Sequence, residues 1–409
     1  MKKRQTRTRT ADRKRSDATN KQPLYKGAEK AKCDQRLGHA GLWFDKYCNR
    51  WSNGRNGWKL STDSDGSNLK LEWVRTVANG MPVGAKKQIE EYTHRVARLV
   101  RGCAGRFAVF ETESRFVTGI GLSHPVGNGF AWHPTLGTPY LPGTSVKGLV
   151  RAWVKTDTEP RPDQKTVERV FGADNASGSI RHVGTVCFLD ATPITPVKLD
   201  ADVITPHYAS WTLEQPPGDW SSPTPIPFLT VAAKTCFLFG VISRFNPATD
   251  DPGVGEHFDT TTDDLELVFG WLESALEWSG AGAKTAVGYG RFRWDAKKTR
   301  DLEKQLEDEE RRHREELERR EAMKSPEGRW RFELKDLSET QLLDKVRIHL
   351  EKDRIEDPEE RRAFVEAVWD TGFPEFWRKG RPKTQTNVGK KKLKQRAQLI
   401  QKELGHLQP

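Results

Sequence analysis

The sequence has little of what marks a secreted or membrane-inserted protein. It contains five cysteines in 409 residues, scattered and without a CxxC pair, so we expect neither a disulfide framework nor a structural zinc site. No apolar run approaches the roughly 18 residues that a membrane-spanning helix needs. The basic N-terminus also lacks the apolar segment of a secretory signal. We therefore expect a cytoplasmic protein with no membrane partner.

Acidic residues are scarce at the two ends of the chain. Residues 1–36 carry thirteen Lys/Arg and four Asp/Glu, and residues 376–402 carry ten Lys/Arg and no acid. Because the whole chain has a formal net charge of +11, its remaining residues share a net charge of −8. Such basic ends favour a polyanionic partner, most often nucleic acid, although a solubilising tail has the same composition.

No catalytic arrangement stands out in the sequence. A histidine could act as general acid in RNA cleavage, but His124, His133 and His207 have no partner base or nucleophile at a recognisable spacing. The candidates for a divalent-cation site are Asp190, Asp200, Asp202 and His207. Turn capping and interstrand hydrogen bonding are commoner uses of such residues. We therefore predict no catalytic residue, no metal site and no cofactor.

Residues 136–155 predict a turn followed by a helix with two different faces. Prolines and Gly143 form the turn, and Thr144 or Ser145 can cap the helix. One face is apolar, because Val146, Leu149, Val150, Trp153 and Val154 recur at helical spacing. Another face carries a basic stripe formed by Lys147, Arg151 and Lys155. This stripe is consistent with solvated side chains or with an anion site, and Gly148 within it suggests that something approaches the backbone closely.

Residues 280–291, GAGAKTAVGYGR, form what we call the glycine loop. Its glycines let a backbone approach a ligand, and successive N–H groups can face an anion. The loop is not a nucleotide-binding P-loop, because Ala283 precedes Lys284 and a helix precedes the loop. A plain turn from helix to strand is the alternative. The residues predicted to bind RNA here are Gly280, Gly282, Lys284, Thr285, Gly288, Tyr289, Gly290 and Arg291.

Residues 192–228 are rich in proline and aromatic residues and show no sustained periodicity. An excursion of this length is longer than an ordinary connection between secondary-structure elements. Exposed apolar residues often mark interaction sites. We therefore predict that Tyr208, Trp211 and Trp220 contact a partner or a nucleic-acid duplex.

Four segments of the sequence resemble the RAMP superfamily of CRISPR proteins. They are GIGLSHPVGNGFAWHPTLGTPYLPGTSVKGLVRAW, FLDATPITPVKLDADVITPHY, PIPFLTVAAKTCFLFG and GAGAKTAVGYGRF. Their order is similar to that in one subunit family of the type III-B (Cmr) effector complexes. The resemblance covers roughly residues 37–295, and the segments containing PYLPGTSVKGLVR and GAGAKTAVGYGRF are the most specific to the superfamily.

The resemblance implies an α+β, ferredoxin-like (RRM-like) RAMP core over residues 37–295, with the glycine loop and a long inserted loop or hairpin at 192–228. It also implies a non-catalytic subunit that holds the guide-RNA backbone near its 3′ end and caps the backbone filament. Its partners would then be guide RNA, target RNA and other RAMP subunits, in antiviral defence. An endoribonuclease of the same superfamily, which processes guide RNA or cleaves target RNA, is the alternative.

Three further segments lie outside the resemblance. Residues 1–36 are predicted to be a disordered basic arm, because they contain almost no apolar residues. Residues 296–375 are predicted to be a helical extension, whose first part alternates charge signs like a solvent-exposed helix. Residues 376–409 are predicted to be a basic, helical tail.

Overall fold

The structure, a computed structural model, describes residues 24, 25, 28, 31, 32, 34, 38–54, 57–60, 68–172, 183–205, 225–244, 262–382 and 388–407. The chain divides into two compact units, Met1–Glu303 and Lys304–Pro409. Each unit has a hydrophobic core of its own. Among the described residues, every helix is too short or too polar to cross a lipid bilayer.

The first unit combines helices with short antiparallel sheets. Its helices are α1 (Ala40–Lys46), α2 (Leu69–Val77), α3 (Lys86–Gly102), α4 (Gly143–Thr156), α5 (Gln164–Phe171) and α6 (Thr262–Ser274). Its strands are β1 (Ser52–Gly54), β2 (Gly57–Lys59), β3 (Arg106–Thr112), β4 (Val186–Phe188), β5 (Thr192–Pro193), β6 (Leu199–Ile204), β7 (Ile226–Val231), β8 (Cys236–Ser243) and β9 (Phe292–Trp294). A π-helical turn (Ala275–Ser279) continues α6, and a 3₁₀ turn (Thr285–Val287) lies in the glycine loop. The mixed α and β composition of the predicted fold class is confirmed.

The central sheet is antiparallel, with the strand order β4-β8-β3-β9, and β5 also pairs with β8. β3 and β8 form its longest ladder, from Arg106 opposite Val241 to Glu111 opposite Cys236. Residues 236–241 of β8 are all buried, so this strand is a continuous apolar run with protein on both faces. A separate hairpin joins β6 and β7.

Helix α4 packs on this core through the predicted apolar face. Val146, Val150 and Val154 are buried, and Leu149 and Trp153 are partly buried against the same cluster. Helix α6 packs beside α4 and also contacts β3 and β8. The apolar residues at helical spacing therefore face the core, and the basic stripe is left on another face of α4.

The two ends of the 192–228 excursion form paired strands, which the sequence did not predict. Strands β5 and β6 lie at its start, and β7 begins near its end, so the excursion leaves from a paired hairpin. The first five residues of β6, LDADV, do alternate in side-chain polarity, but this run is too short to stand out among the prolines. His207, Tyr208, Trp211 and Trp220 lie outside the described residues.

The cap of α4 differs from the prediction. Gly143 is already the first helical residue, so Thr144 and Ser145 lie within the first turn, and neither makes a capping hydrogen bond. Instead the Gly143 N–H donates to Oδ1 of Asp190 at 2.7 Å. Asp190 follows β4, so the cap comes from the sheet. A Cβ on Gly143 would collide with the carbonyl oxygen of Phe188, which is why glycine is needed here.

The second unit is helical. Helix α7 (Ala296–Ala322) leads into it from the first unit, and the following helices are α8 (Pro326–Leu334), α9 (Glu339–Val346), α10 (Pro358–Asp370), α11 (Phe373–Arg378) and α12 (Lys390–Leu407). The sequence predicted a helical extension over residues 296–375 and a helical tail over residues 376–409. However, the predicted boundary at 375/376 lies inside α11. Helix α12 belongs to the core of the unit, because Leu393, Ala397 and Ile400 are completely buried.

The capping arrangement predicts a specific difference between neighbouring substitutions. Replacing Asp190 by Ala should lower the free energy of unfolding by about 1 kcal/mol, because the Gly143 N–H at the start of α4 loses its acceptor. Thr144→Ala and Ser145→Ala, at the positions that the sequence favoured as caps, should change it by only a few tenths of a kcal/mol. Urea unfolding of the three variants checks this, and equal effects at all three positions would contradict it.

Candidate nucleic-acid interface

The basic stripe of α4 faces an arginine that the sequence analysis did not single out. Arg244 follows the last residue of β8 and lies close enough to Lys147 for its charge to act on the lysine. Burial, together with the positive charges of Arg151 and Arg244, lowers the pKa of Lys147. The Arg244 Nε donates to the Gly184 carbonyl at 3.0 Å, which holds the guanidinium in place. This end of the sheet therefore concentrates positive charge where a phosphate would be favourable.

The surface beside the stripe is open. Lys155 is exposed, and Lys147 and Arg151 are half-buried. A Cβ on Gly148 would meet no described atom within 4 Å. The expectation of a close backbone approach at Gly148 is therefore wrong within this chain, and the space over the helix is free for a ligand.

The glycine loop requires its glycines for conformation and for space. Gly280, Gly282, Gly288 and Gly290 all have positive φ angles, as does Lys284, and such angles favour glycine. A Cβ on Gly282 or Gly290 would also collide with a backbone carbonyl oxygen. A Cβ on Gly288 would meet nothing within 4 Å, so at that position only the φ angle calls for glycine.

Backbone hydrogen bonds hold the loop against the segment that follows β3. Ala283 N–H donates to the Val117 carbonyl and Gly290 N–H donates to the Arg115 carbonyl, both at 2.8 Å. Other N–H groups of the loop are left for a ligand, because they have no hydrogen-bond partner among the residues that the structure describes; they belong to Gly282, Lys284, Thr285 and Ala286. The predicted anion-facing N–H groups are thus limited to residues 282 and 284–286.

Two of the predicted RNA-binding side chains instead hold the loop in place. The Tyr289 hydroxyl donates to Oδ2 of Asp202 at 2.5 Å, and Nη1 of Arg291 donates to the Glu277 carbonyl at 2.8 Å. Lys284 extends over Phe228 of β7, with Nζ 5.6 Å from the ring centroid. Of the charged side chains in the loop, Lys284 is therefore the better placed to reach a phosphate.

Asp202 joins the loop to the β6–β7 hairpin. Its Oδ2 also accepts from Nη1 of Arg115 at 2.6 Å. Although burial opposes ionisation, the Tyr289 hydroxyl, the Val203 N–H and the Arg115 guanidinium lower the pKa of Asp202. Burial and the Asp202 carboxylate raise the pKa of Tyr289 to about 12. The carboxylate is therefore charged and the phenol neutral across the physiological range, and the hairpin that flanks the excursion is tied to the glycine loop.

The loop and the start of α4 meet through one intermediate segment. Ala283 is bonded to Val117, and the next residue, Thr118, donates its hydroxyl to the Tyr140 carbonyl at 3.0 Å. Tyr140 lies just before the turn that starts α4 at Gly143. The stripe then leads from this point along α4 and has Arg244 beside it.

The histidines proposed as acids are held in structural hydrogen bonds. His124 Nε2 lies 3.0 Å from the Phe44 carbonyl, and His133 Nε2 lies 3.2 Å from the Tyr92 hydroxyl. Nδ1 of each ring accepts from the backbone N–H two residues further along the chain. Burial is the main cause that lowers the pKa of both rings. Neither ring offers a free nitrogen for proton transfer.

The predicted metal-site aspartates are also engaged within the protein. Asp190 caps α4, and Asp200 and Asp202 lie 3.7 and 2.6 Å from nitrogens of the Arg115 guanidinium. Another group of possible ligands is formed by Glu111, Cys236 and Asp295, whose ligand atoms lie within 4.8 Å of one another. Nζ of Lys298 lies 3.2, 3.0 and 2.9 Å from these three residues. The ammonium group thus occupies the position that a metal cation would take.

The tie between Tyr289 and Asp202 yields a prediction with a defined pH range. Tyr289→Phe should lower the free energy of unfolding by about 1–2 kcal/mol at pH 7, because a hydrogen bond to a charged group is lost. The difference should persist from about pH 4 to pH 10, the range set by the unfolded pKa values. It should shrink as acid protonates Asp202 through its lowered pKa, and as alkali ionises Tyr289 through its raised pKa.

Chemical unfolding of Tyr289→Phe and wild type as a function of pH measures this difference. Tyr47→Phe is the control, because the Tyr47 hydroxyl has no hydrogen-bond partner within the described residues and its loss should be neutral. A difference for Tyr289→Phe that stays constant from pH 3 to pH 11 would show that this bond is not the cause.

The basic stripe of α4 and the glycine loop both lie within a region that matches one family of known proteins. The family model of the RAMP superfamily matches residues 109–293, which contain both α4 and the glycine loop. The CRISPR system Cmr subunit Cmr6 of Pyrococcus furiosus is 28% identical over 265 residues, covering 51% of this chain and 72% of that protein. Cmr6 of Saccharolobus solfataricus is 26% identical over 231 residues, covering 55% of this chain and 70% of its own.

Solved structures include similar chains. One, in a cryo-EM structure of a type III-B Cmr-β complex bound to cognate target RNA, is 22% identical with a TM-score of 0.43. That match covers 56% of this chain and 71% of the compared chain. The resemblance found in the sequence is confirmed: residues 109–293 match the model of the RAMP superfamily, and the chain is similar to Cmr6 proteins.

Proposed function

We propose that this chain is a non-catalytic RNA-binding subunit of a type III-B CRISPR RNA-guided effector complex. It holds the guide-RNA backbone near the 3′ end, caps the backbone filament and works with target RNA and other RAMP subunits in antiviral defence. The observation that carries the proposal is the position of the basic stripe and the glycine loop inside the RAMP region at 109–293. The similarity to Cmr6 proteins supports the type of complex.

We assign the first unit a ferredoxin-like core. Its chain order β3, α4, β4, β8, α6, β9 is a βαββαβ sequence, and the sheet order β4-β8-β3-β9 is fully antiparallel. Both features support this assignment. The core then carries α4 and α6 on the sheet and places the glycine loop between α6 and β9.

The proposed RNA contacts are cations and backbone N–H groups of the first unit. The cations are Lys147, Arg151, Lys155, Lys284 and Arg244, and the loop adds the N–H groups of residues 282 and 284–286. Such groups bind phosphate oxygens and carry no information about base identity. Sequence recognition would come from base pairing between guide and target, as in RNA-guided systems generally.

The excursion supplies the contact to other components of the complex. Tyr208, Trp211 and Trp220 would touch a neighbouring subunit or the guide–target duplex. The ion pair of Arg115 with Asp202 and the Tyr289 hydrogen bond anchor the hairpin from which the excursion leaves. The excursion therefore starts and ends at a hairpin that is tied to the glycine loop.

The first test measures the salt dependence of guide-RNA binding by the assembled complex. Lys147→Ala, Arg151→Ala and Lys284→Ala should each reduce the slope of log K against log salt by about 0.7, because one phosphate contact is lost. Preference for a particular RNA sequence should not change. Lys165→Ala, at an exposed position of α5, is the control. Wild-type slopes in all three variants would remove the stripe and the loop from the RNA site.

The second test separates the subunit from a nuclease. When purified from its source, the protein should co-purify with other RAMP subunits and a discrete guide RNA. Alone it should not cut RNA with or without divalent metal, because His124 and His133 have no free ring nitrogen. Metal-dependent cleavage that is lost in Asp190→Ala or Asp202→Ala would instead support the endoribonuclease alternative.

A further inference from the structure

The second unit has a cationic surface where α11 is followed by α12. We call it the C-terminal cationic face and define it by the exposed side chains of Arg378, Lys379, Arg381, Lys390, Lys391 and Lys394. All six lie beyond residue 293, where the RAMP match ends. The face is therefore additional to the RNA site proposed above and does not depend on it.

A helix-ending motif brings these cations together. Gly380 has a φ of +66°, its N–H donates to the Trp377 carbonyl at 2.8 Å, and the Arg381 N–H donates to the Phe376 carbonyl at 3.2 Å. This is the hydrogen-bond pattern of a Schellman motif, which turns the chain sharply out of α11. A Cβ on Gly380 would lie 3.0 Å from Cε of Lys394. The lysine stem thus crosses the turn, and the basic groups of both helices share one surface.

The face is built on a rigid support. Trp377 of α11 is fully buried, and its indole N–H donates to the Glu339 carboxylate at 2.6 Å. On α12, Leu393 and Ile400 are fully buried, and the Arg396 Nε donates to Glu351 at 2.7 Å. Because both helices are anchored in the core, the cations are presented at fixed positions instead of on a loose tail.

The charges of the face are not neutralised by the protein. Elsewhere in the unit basic groups pair with acids, as Arg331 does with Asp370 at 3.1 Å and Lys345 with Glu333 at 3.5 Å. None of the six cations of the face has an ion-pair partner among the residues that the structure describes. Mutual repulsion of such a cluster is relieved by a polyanion, which releases its counterions on binding.

An aromatic ring beside the cations indicates which polyanion fits. Phe376 is 41% exposed although its neighbour Trp377 is buried. It lies three residues before Lys379, the C-cap residue of α11, whose backbone is still helical, so the two side chains lie on the same side of the helix end. Surfaces for single-stranded nucleic acid combine cations for the backbone with an aromatic ring on which a base stacks. We propose that the C-terminal cationic face is a second site in this chain, which binds the backbone of single-stranded RNA.

The test uses the full-length protein and a labelled oligouridylate of about 15 nucleotides, close to the upper end of single-strand site sizes. Binding is measured by fluorescence anisotropy over a range of salt concentrations. In R381Q/K390Q/K394Q the slope of log K against log salt should fall by about 2, because three phosphate contacts are lost. The Kd should rise about tenfold at low salt. The control R314Q/K352Q/R354Q removes the same charge from exposed positions elsewhere in the unit and should change the Kd less than twofold.

Equal weakening in the two triple variants would overturn the proposal, because net charge alone would then explain binding. Phe376→Leu keeps an apolar side chain but removes the stacking ring, and it should raise the Kd about fivefold. An unchanged Kd in this variant, or tighter binding of duplex RNA of equal length, would overturn the assignment to single strands. Unaltered circular-dichroism melting of each variant shows that the helices remain folded.

A combined variant separates this face from the RNA site of the first unit. Adding K147A/R151A/K284A to the R381Q/K390Q/K394Q variant should multiply the two fold-changes if the surfaces act independently. If the first-unit changes have no effect while the second-unit changes weaken binding, the proposed function fails and the C-terminal face stands. The reverse result removes the face and leaves the proposed function intact.

Discussion

The antiparallel pairing of β3 with β8 determines where the candidate RNA contacts lie. At one end of the ladder β8 runs on to Arg244, which faces the basic stripe of α4. At the other end β3 leads into the segment in which the Arg115 and Val117 carbonyls accept hydrogen bonds from the glycine loop. Slipping this register by one residue would exchange the faces of the strand and displace both surfaces. The apolar ladder of β3 and β8 therefore positions both surfaces.

Many ionisable groups of the first unit make hydrogen bonds and ion pairs that stabilise its fold. Asp202 is held by Arg115 and Tyr289, and Lys298 sits among Glu111, Cys236 and Asp295. A partly buried charge lowers the stability of the fold unless it is paired. Each of these groups is paired within the protein. A chain with several histidines and aspartates near its loops can therefore resemble a nuclease in sequence while these groups do structural tasks.

The two units present positive charge in different ways. In the first unit, cations lie beside the glycine loop, in which several backbone N–H groups have no partner among the described residues. This arrangement favours close contact with individual phosphates. In the second unit, cations lie around the end of the short helix α11, next to the exposed Phe376. The first arrangement depends on glycine conformations and the second on the packing of α12 into a helical core. Substitutions can therefore weaken one surface without unfolding the other.

Local patterns in the sequence were sufficient for the helices and for the general character of the fold. The apolar spacing on α4 predicted its buried face, because a helix must turn its apolar residues towards a core wherever that core lies. The motifs around α4 and the glycine loop likewise identified the superfamily. Strand β6 was missed because five alternating residues among prolines carry little signal.

Contacts between distant residues could not be read in the same way. The cap of α4 comes from Asp190, the charge of Arg244 acts on Lys147 of another element, and Tyr289 and Arg291 of the glycine loop hold the loop instead of facing outwards. Spacing along the chain records which residues share a face of one helix or strand. It does not record which side chain of another element will meet them, because that depends on how the elements pack. Only the folded chain shows which charged groups are already paired and which remain for a partner.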